Sequence, residues 1–283
     1  MNILITGSNG QLGNEIQSSK TTIEGAKFFY TDVNELDITK GDEVLSFCQK
    51  NSINYIVNCA AYTAVDNAED DIEMASLLNS TAVANLAQAA KECGAKFIHV
   101  STDYVFDGKA HEPYCEDQAT APQSVYGSTK LKGEEAASSI LPESVIIRTS
   151  WLYSAFGNNF VKTMMRLGAD RDSLNVVFDQ VGTPTYAADL ADAILNIIKQ
   201  NCKVSGIFHF SNEGVCSWYD FAHSIMKKCE LNCKVVPVPS TEFPTKATRP
   251  KYSVLNKTHI KDSYSLSIPH WEDALDECLL RLK

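Results

Sequence analysis

The chain has 283 residues, 44% hydrophobic and 21% charged, an ordinary globular mix that excludes a disordered or low-complexity polymer. A formal net charge of −10 argues against a duplex-binding face, so nucleic acid is not an expected partner. Nor is a membrane, since no apolar run approaches the roughly 18 residues a spanning helix needs. The first ten residues, MNILITGSNG, carry no basic leader or cleavage-site pattern, so a cytoplasmic location is the expectation. Nine scattered cysteines with no Cys-x-x-Cys pair read as reduced thiols. Cys229 and Cys233 with His223 are weak grounds for a metal site.

From the amino terminus, Met1–Thr6 reads as a short strand followed by a glycine loop. Lys27–Thr31, Tyr55–Asn58, Lys96–Ser101 and Val145–Arg148 repeat the pattern of short β-branched runs. Between the third and fourth, Asn79–Cys93 places Val83, Leu86, Ala87 and Ala90 at helical spacing. Strands alternating with helices predict an α/β fold, a Rossmann-like doubly wound parallel sheet covered on both faces. Later, Ser217 with Asp220 marks a helix start, and Trp218, Phe221, Ala222 and Ile225 share a face. Pro237, Pro239, Pro244 and Pro250 predict a long irregular loop. Trp271–Leu282 is again amphipathic, aligning Trp271, Leu275, Cys278, Leu279 and Leu282. The expected organisation is a dinucleotide-binding domain over 1–150. A smaller, mainly substrate-binding lobe over 151–283 follows, with some segments returning to the first domain.

The loop Thr6-Gly7-Ser8-Asn9-Gly10-Gln11-Leu12-Gly13 follows the first strand directly. Gly7, Gly10 and Gly13 serve a tight turn, close approach of backbone to a pyrophosphate, and packing of a helix on the sheet. The pyrophosphate then sits at the positive end of a helix beginning near Gln11. Asp32 ends the second strand 19 residues after Gly13, where an acid accepts hydrogen bonds from the adenosine ribose. Its charge repels a 2′-phosphate, which favours NADH, although the sequence leaves NADPH open. Asp37 and Ile38 are placed for the adenine edge.

Tyr126-Gly-Ser-Thr-Lys130 puts a phenol and an amine one helical turn apart. An ammonium beside a phenol lowers the phenol's pKa toward the working range of an acid/base catalyst. Ser101-Thr102-Asp103 ends the fourth strand, at the edge where open α/β sheets bind ligands, and its hydroxyl can bond a substrate carbonyl. Asn58-Cys-Ala-Ala-Tyr-Thr63 ends the third, and its small residues admit a cofactor closely. Together these features describe one hydride-transfer site.

The glycine loop, Asn58-Cys-Ala-Ala61, the helix opening at Asn79 and the Thr102/Tyr126/Lys130 set resemble the extended short-chain dehydrogenase/reductase family. Ser101–Gly108, Tyr126–Glu134, Arg148–Tyr153, Gly157-Asn-Asn-Phe160, Asp179–Pro184 and Arg249-Pro250 resemble, more narrowly, its dTDP-4-dehydrorhamnose reductase branch. That resemblance implies reduction of a dTDP-linked 4-keto-deoxysugar by NADPH or NADH. It implies that Gly10, Gln11 and Leu12 hold the pyrophosphate, and that Asp32, Asp37 and Ile38 surround the adenosine. Ala61, Tyr62 and Thr63 line the middle of the cofactor, while Tyr126 and Lys130 hold the nicotinamide ribose. Tyr126 is the implied proton donor and Thr102 orients the keto oxygen; Thr102, Asp103 and Trp151 contact the sugar. Arg249 is the candidate clamp for the two phosphates of dTDP.

Some relatives dimerise through Mg2+ held by acids. Glu15 matches one such position and Asp189 lies near others, so a homodimer and a Mg2+ ion are open, with no metal ligand assigned. Sugar-nucleotide epimerases and 4,6-dehydratases share the fold and the Tyr/Lys pair. Tyr104 stands where dehydratases carry an acid. A non-catalytic alternative is a partner-binding module resembling the regulatory subunit of methionine adenosyltransferase. The intact Thr102/Tyr126/Lys130 set argues for an enzyme.

Overall fold

The computed structural model describes residues 1–282. The expected strands form within a residue of their expected bounds: Asn2–Thr6 (β1), Lys27–Thr31 (β2), Tyr55–Asn58 (β3), Lys96–Thr102 (β4) and Val145–Thr149 (β5). Helices Gln11–Ser18 (α1), Gly41–Lys50 (α2), Val65–Ala68 (α3), Ile72–Ser76 (α4), Ala82–Cys93 (α5) and Val125–Ile140 (α6) connect or follow them. The second half begins with Leu152–Tyr153 (β6), Phe160–Asp170 (α7), Ser173–Val177 (β7), Val181–Gly182 (β8) and Thr185–Tyr186 (β9). Ala187–Lys199 (α8), Gly206–His209 (β10), Cys216–Ser217 (β11) and Trp218–Lys228 (α9) come next. Lys234–Val238 (β12), Thr258–Tyr264 (α10) and Trp271–Leu282 (α11) complete the described chain.

Among the described residues, six strands form one parallel sheet in the order β10-β5-β4-β3-β1-β2. Such strands are covered on both faces, which is why they read as short continuous apolar runs. Successive side chains separate cleanly. Ile3, Ile5, Val57, Ile98 and Ile147 pack under α8 with Leu190 and Ile194. Leu4, Ile56, Phe97 and Ile146 face Val44 of α2, Val83 and Leu86 of α5 and Ala137 of α6. Sequential connections run outward in opposite directions from β1 and β3. The crevice beyond their carboxyl ends is therefore the switch point where ligands of this architecture bind.

Residues beyond 151 complete this sheet, since β10 pairs with β5 and α8 packs along α1. A second apolar core joins α7, α9, α11 and the β7–β12 pair through Val161, Leu174, Phe221, Ile225, Val235 and Leu275. Ser217 and Asp220 form the expected capping box of α9.

Two local expectations change. The helical stretch expected to open at Asn79 begins at Ile72, and Asn79 lies inside a π-type turn, Leu77–Thr81. That wide turn lets the Asn79 amide bond the loop after β3 instead of starting a helix. Pro237 is not in a loop but in β12, which pairs in the two-stranded unit with β7. An edge strand tolerates the missing N–H.

Candidate active site

The glycine loop leaves the carboxyl end of β1 and feeds α1. Gly7 takes φ 64°, and a Cβ there would lie 2.7 Å from the Ala60 backbone. A Cβ on Gly13 would lie 2.5 Å from Ser8 Cα, so loop and helix approach each other as only glycine allows. α1 starts at Gln11 behind Gly10 as N-cap, with no side-chain cap and no acid in its first turn. Its leading N–H groups thus face no chain-borne anion, which fits a pyrophosphate at this end. Gln11 is tied to the second half of the chain, its Oε1 accepting from Asn159 Nδ2 at 3.0 Å. Leu12 is buried beneath the loop.

Asp32 borders the same loop. Its Oδ2 accepts from the Asn9 N–H at 3.2 Å and its Oδ1 from the Val33 N–H at 2.8 Å, which fixes the carboxylate at the rim. Asp37 accepts from the Thr39 hydroxyl and N–H, and these bonds hold its carboxyl below the usual range. The adjacent Ile38 is buried, and its carbonyl accepts from Asn85. The segment Ala61-Tyr62-Thr63 follows β3 directly. Asn79 clamps it by accepting the Tyr62 N–H at 2.9 Å and donating to the Tyr62 carbonyl at 3.2 Å.

The β4 end and α6 bring the chemistry-bearing side chains together. Ser124 caps α6, its hydroxyl accepting the Gly127 N–H. Tyr126 is half-buried, with the Thr102 hydroxyl against its phenol and the Tyr104 ring edge-on at 5.4 Å between centroids. Burial raises the phenol's pKa, and the Thr102 hydroxyl only partly offsets that. The expected lowering by Lys130 does not appear, because the Lys130 amine turns to β4, donating to the Val100 carbonyl at 2.6 Å. Burial pushes Lys130 down to about 8, against the opposing pull of Glu134 and Cys59.

Thr102 also donates to Asp103 Oδ1 at 3.1 Å. Asp103 Oδ2 is buried with no hydrogen-bond partner among the described residues. Burial lifts the Asp103 carboxyl to about 7, although the Ser253 and Thr102 hydroxyls lower it. Tyr104, pushed up to about 12 by burial, accepts at its hydroxyl from Arg249 Nη1 at 3.2 Å. The other Arg249 arm bonds Asp66 at 2.5 Å, so the expected phosphate clamp also fastens the irregular 239–257 segment to α3. Trp151 takes φ 48° and stacks on Trp218, 3.7 Å between centroids and 12° from parallel. Trp151 also lies against Gly182, which in turn lies against Ser253.

Sequence reasoning missed several supports. Glu134 and Arg148 form a bidentate ion pair, each side chain 2% exposed, and Ser101 donates to Glu134 at 2.5 Å. Asn58 and His99 pair behind Lys130. Asn58, His99 and Arg148 left a signal, as polar residues inside runs otherwise reading as buried strand, whereas Glu134 on α6 left none.

Glu15 stands away from this site. It is buried, accepting from Ser154 at 2.5 Å and from Arg281 of α11 at 2.6 Å. Among the described residues no group of three His, Cys, Asp or Glu side chains is arranged to hold a metal ion. Nor is any described helix long and apolar enough to cross a membrane.

Comparison with known proteins decides the family. The family model described as the RmlD substrate binding domain matches residues 1–283. The dTDP-4-dehydrorhamnose reductase of Escherichia coli is 40% identical, over 100% of this chain and 98% of its own. The chain belongs to the dTDP-4-dehydrorhamnose reductase family. A crystal structure of a family member from Clostridium acetobutylicum superposes with a TM-score of 0.95 at 45% identity, covering 100% of this chain and 99% of that one. The Bacillus anthracis dTDP-4-dehydrorhamnose reductase, solved in complex with NADP, gives a TM-score of 0.94 at 39% identity over 99% and 98% of the two chains. The reductase family thus accounts for the whole chain, the irregular 239–257 segment included.

Proposed function

We propose that this chain reduces dTDP-4-dehydro-L-rhamnose to dTDP-L-rhamnose at the expense of NAD(P)H, with Tyr126 as the proton donor. The observation that carries the reading is the Thr102 hydroxyl against the Tyr126 phenol, on the same edge of the sheet as the glycine loop. Reduced nicotinamide supplies the hydride when bound. The chain's own residues do the rest. Gly7, Gly10, Gly13, Gln11 and Leu12 form the pyrophosphate cradle, and Asp32, Asp37 and Ile38 flank the adenosine. Ala61, Tyr62 and Thr63 line the middle of the groove under the Asn79 clamp. Burial keeps the Tyr126 phenol protonated well beyond neutral pH, as a donor to the forming alkoxide must be. Thr102 aligns the keto oxygen with that phenol, and Lys130 holds the nicotinamide ribose.

Asp103 has one unsatisfied buried oxygen to offer a sugar hydroxyl. Trp151, flattened against Trp218, offers an apolar wall to the ring. Arg249 offers its guanidinium to the nucleotide's phosphates from beside Tyr104. Tyr104, bonded to Arg249 and packed on Tyr126, supplies no carboxyl for a dehydratase's elimination step.

Asp32 sets the choice of cofactor. Its fixed carboxylate repels a 2′-phosphate, so Asp32→Ala should improve kcat/KM for NADPH relative to NADH by about tenfold or more. Steady-state kinetics with both cofactors checks this. An unchanged ratio would remove Asp32 from the specificity argument.

The reaction itself is tested by following NADH and NADPH oxidation with dTDP-, UDP- and GDP-linked 4-keto-6-deoxysugars. Stoichiometric oxidation with the dTDP-linked 4-dehydrorhamnose is expected. Isomerised or dehydrated sugar without net cofactor consumption would favour an epimerase or dehydratase.

A further inference from the structure

Behind the Tyr126/Lys130 face lies a buried polar line that the reaction scheme does not use. Thr6, Asn58 and His99 stand side by side across β1, β3 and β4, because the register aligns Thr6 with Asn58 and Asn58 with His99. All three are fully buried on the face that α6 covers. Asn58 Oδ1 accepts from the Ala60 N–H at 3.0 Å and from the Thr6 hydroxyl at 2.8 Å. A backbone N–H only donates, so the atom facing Ala60 is the amide oxygen and the atom facing His99 is the amide nitrogen. That nitrogen lies 3.1 Å from His99 Nδ1. An NH2 group also only donates, so Nδ1 carries the lone pair and the ring proton resides on Nε2. Nε2 in turn lies 3.3 Å from Lys130 Nζ.

The Nε2–H therefore points at an amine. A neutral Lys130 accepts that proton while donating to the Val100 carbonyl; an ammonium meets it donor against donor. We propose that His99 is a positioning residue, locked by Asn58 with its Nε2–H toward Lys130, so that Lys130 gives up its ammonium proton more readily in the free protein than when acceptor groups of the cofactor's ribose reach it. This rests on the reading that Lys130 holds that ribose.

The other titratable or charged groups about Lys130 are Glu134 one turn further along α6, Tyr126 one turn back, Cys59 after β3, and Arg148 of β5, whose charge is taken up by Glu134. Glu134 and Cys59 favour the ammonium, and burial opposes it. Burial and the Lys130 charge together hold the His99 ring neutral, well below its ordinary pKa.

The sign follows from the lowered value. Affinity that depends on the ammonium is complete below the Lys130 pKa, near 8, and is lost as pH rises through it. The test measures NADPH dissociation constants from pH 6 to 10 for the wild-type chain and His99→Gln, whose amide can turn its oxygen to the amine. The wild-type midpoint should lie about one pH unit or more below that of the variant. Identical midpoints, even with weaker binding, would reduce His99 to a structural residue and overturn the proposal.

15N-histidine NMR of the wild-type chain supplies a second reading that needs no variant to fold. His99 should show the Nε2–H tautomer and remain neutral down to acid unfolding; an Nδ1–H tautomer would overturn the proposal. Neither measurement requires turnover. A chain that fails to oxidise NADPH with any 4-keto sugar but gives both results loses the reaction assignment and keeps this one.

Discussion

Replacing Tyr126 with Phe is expected to lower kcat by about a hundred- to ten-thousandfold, the usual contribution of a positioned proton donor. NADPH should still bind, since the phenyl ring keeps the edge-on contact with Tyr104 and the glycine cradle is untouched. The loss should fall on kcat and kcat/KM alike, because the missing bond is made as the keto oxygen takes on charge. Fluorescence titration of cofactor binding beside steady-state kinetics separates the two terms. Retained turnover would remove the phenol from the chemistry. A loss of cofactor affinity as large as the loss of rate would instead make it a binding residue.

The second large effect concerns stability. Glu134 and Arg148 are each 2% exposed, joined by three bonds of 2.7 to 3.1 Å, and Ser101 adds a fourth contact to the carboxylate. Two opposite charges removed from water are tolerable only together. Glu134→Gln leaves the Arg148 guanidinium buried without its counter-ion and should cost about 3–5 kcal/mol, a substantial part of a domain's net stability. Glu134→Leu with Arg148→Met should recover most of that loss, because a packed apolar pair carries no desolvation penalty. Urea unfolding curves of the three chains check this. Equal destabilisation of the single and double variants would mean that the site depends on shape rather than on charge balance.

The parallel sheet could be read from the sequence because its strands are buried on both faces, leaving short apolar runs with little polar interruption. The ligand-binding edge was equally legible. Gly7–Gly13, Asp32, Asn58–Thr63 and Ser101–Asp103 each follow or end a strand, so chain order alone carried them to one side of the sheet. What stayed hidden depends on contacts between distant segments. Glu134 meets Arg148, and Asn58 meets His99, only once strand order and register are known. The π-type turn at Asn79 follows no simple hydrophobic period, so its position had no periodic signal. The Tyr126 pKa runs opposite to the spacing-based expectation for a related reason. Spacing along α6 shows that Tyr126 and Lys130 share a face, but not that the amine is drawn away to the Val100 carbonyl while the phenol is desolvated. Trp151 reads as an aromatic at a strand end, yet its stacking on Trp218 of α9 depends on how the second core folds back.

The most direct measurement follows the transferred atom. NADPH carrying deuterium at both C4 positions of the nicotinamide, supplied with dTDP-4-dehydrorhamnose, should place one deuterium on C4 of the product sugar per cofactor oxidised, by NMR. With Tyr126→Phe that transfer should nearly stop. Product bearing no deuterium at C4, or both deuteriums retained in the cofactor while the sugar changes, would contradict the account.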